Sequence, residues 1–399
     1  MNYAIPSNET TNSSKLSISI SIIVLAASCI LMSDMYAPSM PHIASSLNAP
    51  SHLVKLSISL YLVGMLVSQL ILGPVSDAYG RRPVIIIGLT IATLGSYIAI
   101  SADSIFTLNL ARCIQGFGAG AIALNARAMA RDRFSQNELI KIYALIGTAI
   151  SIAPAIAPLI GGYLQHNFGW KAVFFTMFFW FTLLTGVICK WLPETNFKAN
   201  KEISIQQTLN NYKQLFQIQS FTSYAFVGAL SFSIIVLYFT VTPHLLQEHM
   251  HLSVLEYSWS CVLAISTMII SRVLNLCLLN YFTQRVTSAM GITIALTSAL
   301  ALSITAAMQA TTPCNFIVLA TIMMLGIGFV VSNVMAQAFQ DVKDMAGAAG
   351  AVYGGIQMAC SSLISCISAH LPADNVLSFS LSAAVVCSFT LAILIRRAN

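Results

Sequence analysis

The feature that most restricts the fold of this chain is a series of twelve continuous apolar runs, which extend from residue 16 to residue 396. A helix of about 20 apolar residues is long enough to cross the hydrocarbon core of a bilayer. Since only 8% of the 399 residues are charged, a large soluble domain is excluded. The sequence therefore predicts an all-α integral membrane protein with transmembrane helices at 16–39, 53–75, 83–102, 105–128, 139–163, 170–192, 222–245, 256–281, 286–308, 313–337, 346–370 and 375–396.

The distribution of basic residues predicts how these helices are oriented, because Lys and Arg accumulate in cytoplasmic loops. With the N-terminus inside, thirteen of the 19 Lys and Arg residues lie on the inner side, and only Lys55 and Lys171 lie outside. We therefore expect a multi-pass protein of the inner (plasma) membrane with both termini in the cytoplasm. The basic residues behind the net charge of +6 are spread over the chain and form no basic face, so a nucleic-acid partner is not expected.

One long polar stretch divides the apolar runs into two groups of six. This predicts an N-terminal six-helix bundle (1–192), a cytoplasmic linker (193–221) and a C-terminal six-helix bundle (222–399). Transporters built from two similar halves bind their substrate near the membrane midplane, between the halves. Within the linker, apolar residues at helical spacing indicate either an amphipathic helix on the inner membrane surface or a helix packed under the bundle: Ile205, Leu209, Tyr212, Leu215 and Phe216.

Three motifs in the first half carry a family resemblance. The loop after the second span reads GPVSDAYGRRP (73–83), which resembles the GxxxDxxGRR signature of the major facilitator superfamily. The fourth span contains RCIQGFG (112–118), similar to the RxxQGxG pattern of that family. The fifth contains PAIAPLIGG (154–162), similar to the antiporter motif of drug exporters, although Ala157 replaces the commoner Gly before Pro.

Two further segments narrow this resemblance. DMYAPSMP (34–41) in the first span and WLPET (191–195) after the sixth resemble the Bcr/CflA branch of drug-resistance transporters. The second half matches mainly in helix count and in AGAAG (346–350), while its copy of the loop signature is degraded to NYFTQR (280–285). The resemblance implies the major facilitator fold of two six-helix bundles and a drug:proton antiporter that needs no cofactor.

Three charged residues lie within the predicted spans at a distance from the span ends: Asp34, Arg112 and Arg272. Asp34 is the one carboxylate clearly inside a span, and such residues usually face a cavity and mark function. Because burial favours the neutral form of a carboxyl group, we expect Asp34 to carry an exchangeable proton, with a helix cap at the outer interface as the alternative. The family resemblance implies that Arg112 belongs to the proton-handling network. The alternative is that its side chain snorkels to the membrane interface. Arg272 is either a gate or a membrane anchor.

The remaining candidates are polar side chains for a substrate cavity and the motif residues for gating. The cavity candidates are Tyr36, Tyr61, Gln115, Tyr238 and Gln357. The signature loop lies too far inward to touch a midplane ligand, so we expect it to hold the inner side closed, with Asp77 contacting Arg81 or the start of span eleven. The prolines and glycines of span five form either a hinge or a close helix contact. The predicted gating residues are Gly73, Asp77, Gly80, Arg81, Arg82, Pro154, Pro158, Gly161 and Gly162.

An outer cluster of His244, Glu248, His249 and His251 is interpreted as a solvated loop, with metal binding or pH sensing as alternatives. The nine cysteines form no CxxC pair, and the sequence contains neither a P-loop nor a nucleophile–base pair. We therefore expect no metal, no cofactor and no enzymatic activity.

The leading hypothesis is a monomeric, proton-coupled secondary transporter that exports small amphiphilic compounds, drugs or a metabolite, by alternating access. One alternative keeps the fold but transports a single metabolite, such as a siderophore, peptide or amino acid, in either direction. The alternative from a different class is a non-transporting membrane sensor.

Overall fold

The computed structural model describes residues 8–196, 205–342, 345–371 and 375–396, and every regular element in these ranges is helical. The rest of the predicted linker, 197–204, lies outside the described residues. A short 3₁₀ helix, Ala37–Ser39, and a π-helix, Leu245–His249, interrupt the α-helices. The α-helices are α1 Asn8–Asp34, α2 Met40–Ser46, α3 Ser51–Tyr79, α4 Arg81–Ile100, α5 Ile105–Arg133, α6 Gln136–Phe168, α7 Trp170–Trp191, α8 Ile205–Gln217, α9 Gln219–His244, α10 Val254–Leu278, α11 Gln284–Ala307, α12 Pro313–Phe339, α13 Ala346–Ala369 and α14 Val376–Arg396.

The membrane-spanning character predicted from the sequence is confirmed. Among the described residues, eleven helices are long and apolar enough to cross a membrane. The predicted fourth span is α5, a helix of 29 residues that is less apolar because it buries Asn109, Arg112, Gln115 and Asn125. The first span differs from its prediction of 16–39, because α1 ends at Asp34 and the chain continues as a 3₁₀ helix through Pro38. Pro38 has no backbone N–H and cannot donate an α-helical hydrogen bond, which favours the break at this position.

Buried apolar side chains form two main clusters that follow the two halves of the sequence. The first comes almost entirely from α1 to α7, joined by Val236 and Met358. The second comes from α9 to α14, joined by Ala37 and Ala155. The halves meet chiefly where α3 packs on α13 and α6 packs on α10. The domain boundaries at 192 and 222 remain predictions.

The linker helix α8 packs beneath the second half through one face. Leu215 is fully buried against Phe221 and Val352, which favours the packed-helix interpretation over a helix that only lies on the membrane. Leu209 and Phe216 remain exposed.

Close approach of α5 to α3 depends on the small residues of the fourth-span motif. A Cβ atom at Gly116 would collide with the carbonyl oxygen of Tyr61, and one at Gly120 would collide with that of Met65. Glycine therefore lets the two helices pack at backbone contact. As a result, Arg112, one turn before Gly116, lies against the side chains of α3.

Candidate functional site

The centre of the candidate site is the guanidinium of Arg112, which is enclosed by two tyrosine rings. Arg112 is 1% exposed, and its Cζ lies 4.8 Å from the ring centroid of Tyr36 and 4.4 Å from that of Tyr61. Its Nη1 donates a hydrogen bond to Oε1 of Gln115 at 2.8 Å. Its Nε and Nη2 have no hydrogen-bond partner in the described structure. A cation held in this way has unused donors, and its burial argues against the snorkelling alternative.

Each partner of Arg112 is fixed by a hydrogen bond to a different helix. The Tyr61 hydroxyl donates to the carbonyl oxygen of Cys29 at 2.9 Å, and the Tyr36 hydroxyl shares a hydrogen bond with Ser57 at 2.7 Å. Gln115 Nε2 donates to Oγ of Ser96 at 2.7 Å. The structure thus brings together four of the predicted residues, Tyr36, Tyr61, Arg112 and Gln115, in a rigid group that we call the arginine box.

Asp34 lies at the end of α1, half-buried, between the two halves of the protein. It is within electrostatic range of Arg112 on one side and of Cys261 in α10 on the other. No ion pair joins Asp34 to Arg112 among the described residues. The only carboxylate predicted inside a span is therefore close enough to influence the arginine box without neutralising it by contact.

The other two cavity candidates lie in the second half. Tyr238 on α9 is buried against Phe239, with ring centroids 5.6 Å apart, and lies near Cys261. Gln357 is half-buried on α13. Within the described part of the chain, neither residue has a ring contact or hydrogen bond with the arginine box.

The signature loop between α3 and α4 forms an ion-pair network centred on Arg81. Arg81 pairs with Asp77, as predicted, and also with Asp132 of α5, where Nε lies 2.9 Å from Oδ2. Its Nη1 donates to Oγ of Ser76 at 2.7 Å. Sequence reasoning missed Asp132, which lies 51 residues away along the chain. The predicted contact of Asp77 with the start of α13 remains a prediction.

A second residue missed as a functional candidate is Glu194, whose carboxylate caps the start of α4. It accepts backbone N–H bonds from Arg81 at 2.9 Å and Arg82 at 3.1 Å, and from Thr195 and Asn196 at 2.8 and 2.9 Å. Gly80, at φ 102°, has no Cβ to collide with this carboxylate. A negative charge at a helix N-terminus is stabilising. The signature loop is thus anchored by helices of the first half.

The motif of span five marks a three-helix contact. α6 runs without interruption through Pro154 and Pro158. A Cβ atom at Gly161 would collide with the carbonyl oxygen of Met35, and one at Gly162 with Oγ of Ser258 in α10. The glycines therefore allow close helix packing, which was one of the two predicted roles. The other role, a hinge in α6, remains a prediction.

Arg272 links the two halves on the side where α6 begins. From α10, its Nη1 donates to the carbonyl oxygen of Gly147 at 3.2 Å and to Oγ of Ser151, both on α6. The side chain is therefore directed at the opposite half, which is the position expected of a gate.

In the histidine cluster, His244 differs from the predicted solvated loop, whereas Glu248, His249 and His251 are exposed as that interpretation expects. His244 is 1% exposed because α9 continues into the π-helix, and its Nδ1 lies 3.1 Å from Oε2 of Glu248. In the same turn, Gln247 Nε2 donates to the carbonyl oxygen of Pro38 at 3.2 Å, across the two halves. His249 and His251 line a cleft of about 520 Å³. Among the described residues, no three His, Cys, Asp or Glu side chains are grouped to hold a metal ion.

The helical architecture with buried charges between two halves defines a multi-pass membrane transporter. The family model of the Major Facilitator Superfamily matches residues 22–369, so the chain belongs to this family and is not an enzyme.

Curated relatives place the chain near the drug-resistance members of the family. It is 27% identical to the bicyclomycin resistance protein homolog of Haemophilus influenzae, over 89% of this chain and 90% of that protein. It is 28% identical to multidrug resistance protein MdtL of Shewanella oneidensis, over 90% of each. It is 32% identical to multidrug resistance protein D of Escherichia coli, over 51% of each. The chain thus resembles the Bcr/CflA branch.

Solved structures support the fold independently. The crystal structure of a D-xylose-proton symporter has a TM-score of 0.73 with 12% sequence identity, and the match covers 94% of this chain and 97% of that one. At this identity the likeness shows the major facilitator fold alone.

Proposed function

We propose that the protein is a proton-coupled secondary transporter that exports small amphiphilic compounds. The observation that carries this proposal is the arginine box, a fully buried cation with unused donors inside the first half, beside a half-buried carboxylate that lies between the halves. A static protein gains nothing from such an arrangement, because intramembrane charges are costly. The names of the relatives, bicyclomycin resistance and multidrug resistance proteins, indicate drugs or similar amphiphiles as the cargo.

In the proposed cycle, Asp34 exchanges a proton as the bundles 1–192 and 222–399 rock about the site. When Asp34 is ionised, its charge balances that of Arg112; when it is neutral, the arginine box alone is charged. The two protonation states therefore present different electrostatic environments to a bound compound. A compound that binds one state better shifts the proton equilibrium, which couples its movement to the proton gradient.

Contacts at the inner side would hold that side closed in part of the cycle. Arg272 joins α10 to α6, and the network of Arg81 stiffens the loop that faces the cytoplasm. Opening toward the cytoplasm requires the bonds of Arg272 to break. The hinge proposed for Pro154 and Pro158 would bend α6 during this step.

We further infer that both termini are cytoplasmic and that the protein works in the inner membrane as a monomer, without a nucleic-acid partner. The thirteen-to-two charge bias supports the orientation, and a site built within one chain supports the monomer. Reporter fusions at the C-terminus and at His52 should give inner and outer signals, respectively. An outer signal from the C-terminus contradicts the orientation.

Transport in membrane vesicles with an imposed pH gradient tests the function. A panel of amphiphilic drugs should include compounds that accumulate against their gradient only when the proton gradient is present. Asp77→Asn should reduce this transport while substrate binding to the purified protein survives. A gradient-independent rate for every compound would overturn proton coupling, and loss of binding in Asp77→Asn would overturn the gate assignment.

A further inference from the structure

The described helices enclose more arginines than carboxylates at membrane depth, and of these arginines Arg112 is fully buried while the other two are half-buried. Arg112, Arg127 and Arg272 lie within α5 and α10, whereas Asp34 is the carboxylate at comparable depth. In the described part of the chain none of these arginines forms an ion pair. A low-dielectric interior with excess positive charge favours a negatively charged ligand. The question is where such a ligand makes its first contact.

Arg127 offers that contact. It lies on α5, six residues before Arg133 at the helix end, so it is about 9 Å from that end at 1.5 Å per residue. An arginine at this depth is able to snorkel into the interface. Its guanidinium is instead directed at the other half, because Nη2 lies 3.7 Å from the position that a Cβ atom on Gly354 of α13 would occupy. It forms no side-chain hydrogen bond among the described residues.

Gln69 of α3 supplies an independent observation at the same place. It is 1% exposed, and its Oε1 has no hydrogen-bond partner in the described structure. A Cβ atom on Gly354 would collide with this oxygen, so glycine at this position lets Gln69 Oε1 lie against the backbone of α13. A buried, unpaired acceptor is costly unless a ligand completes it. An unpaired cation and an unpaired acceptor thus lie beside the same glycine.

Two tyrosines lie beside these polar groups. Tyr353 is buried and lies within electrostatic range of Arg127, as does Tyr143, whose hydroxyl donates to the Arg127 carbonyl oxygen at 3.3 Å. Their rings provide apolar surface next to the polar groups. We name this group the inner vestibule: Gln69, Arg127, Tyr143, Tyr353 and Gly354.

We propose that the inner vestibule binds the anionic end of the cargo, so that the protein prefers amphiphiles carrying a carboxylate or a similar anion over neutral or cationic ones. Arg127 pairs with the anion, Gln69 Oε1 accepts a hydrogen bond from an adjacent N–H, and the tyrosines contact the apolar body. The inference rests on the proposed function only in taking the occupant to be the transported compound.

Equilibrium dialysis with the purified full chain in detergent tests this at neutral pH, without any proton gradient. The probes share one ring system and differ in charge: 2-naphthoate, 2-naphthamide and 2-naphthylmethylammonium. Wild type should bind naphthoate about tenfold more tightly than the amide, the effect of one charged hydrogen bond. Arg127→Gln should remove this preference, and Arg127→Lys should retain part of it. Arg131→Gln removes the same charge one turn further along α5 and should change nothing.

Gln69→Leu separates the second contact from the first. It should weaken binding of N-(2-naphthoyl)glycine, which adds an amide N–H near the carboxylate, by about fivefold. Its affinity for 2-naphthoate should be unchanged. If Arg127→Gln does not fold, the probe series on wild type, Arg127→Lys and Gln69→Leu still decides the matter.

Equal affinity of wild type for the three charge types would overturn the inference, as would an equal loss of all three in Arg127→Gln. Because binding is measured without transport, failure of proton coupling in vesicles leaves this result unaffected. Conversely, if transport is coupled to protons but binding shows no preference for anions, the role of the inner vestibule is refuted and the proposed function stands.

Discussion

Replacing Arg112 with methionine should abolish transport yet change stability little. The two cation–π contacts contribute about 1–2 kcal/mol each in a desolvated site. The hydrogen bond to Gln115 contributes about 2 kcal/mol because the donor is charged. Against this total of about 5 kcal/mol stands a desolvation penalty of several kcal/mol for the buried guanidinium. Methionine fills a similar volume without that penalty, so Arg112→Met should alter the free energy of unfolding by no more than about 2 kcal/mol.

The assay pairs unfolding of the purified protein in mixed detergent–SDS micelles with transport in vesicles. Arg131→Met serves as the control, since it removes an arginine from the same helix outside the arginine box. We expect Arg112→Met to unfold near the wild-type midpoint and to transport at background rate. A loss above about 4 kcal/mol would show that the buried cation stabilises the fold. Retained transport would refute its role in the site.

Two further predictions concern Glu194 and Glu138, two carboxylates at the ends of helices. Glu194→Gln keeps the side-chain shape but removes the acceptor for the Arg82 backbone N–H, so the free energy of unfolding should fall by about 2 kcal/mol; an unchanged thermal melt contradicts the capping role. The hydrogen bond from Lys15 lowers the pKa of the Glu138 carboxyl from 4.5 to about 2. This contribution to stability is present above pH 4.5 and is lost as the pH falls toward 2. The melting temperature should therefore drop less on acidification in Glu138→Gln than in wild type, and parallel curves would refute the pairing.

Each member of the arginine box was singled out from the sequence as a candidate, and their role in transport stays a prediction. A charge inside an apolar run has to be enclosed, and the glycines one turn later indicate close packing with a neighbouring helix. Residues whose role depends on their position in one helix could therefore be selected from the sequence. These are Arg112, Gln115 and the tyrosines of the other spans.

Contacts between segments that are distant in the sequence could not be predicted in this way. The pairing of Arg81 with Asp132 and the capping by Glu194 depend on how α5 and α7 end beside α4, which no local pattern encodes. The burial of His244 was missed because hydropathy does not indicate that α9 continues as a π-helix through a polar sequence. The break after Asp34, by contrast, agrees with the alternative considered for that residue, a cap on a helix break before Pro38.

The role of the intramembrane carboxylate is the central claim, and proton release on substrate binding tests it most directly. The experiment adds a transported compound to the detergent-solubilised protein in weak buffer and records the change in pH. Asp34→Asn mimics the protonated group with nearly the same shape, so compound binding should survive in this variant. Wild type should release protons near neutral pH, and Asp34→Asn should bind the compound without releasing any. Proton release by Asp34→Asn equal to that of wild type would contradict the account and place the exchangeable proton on another residue.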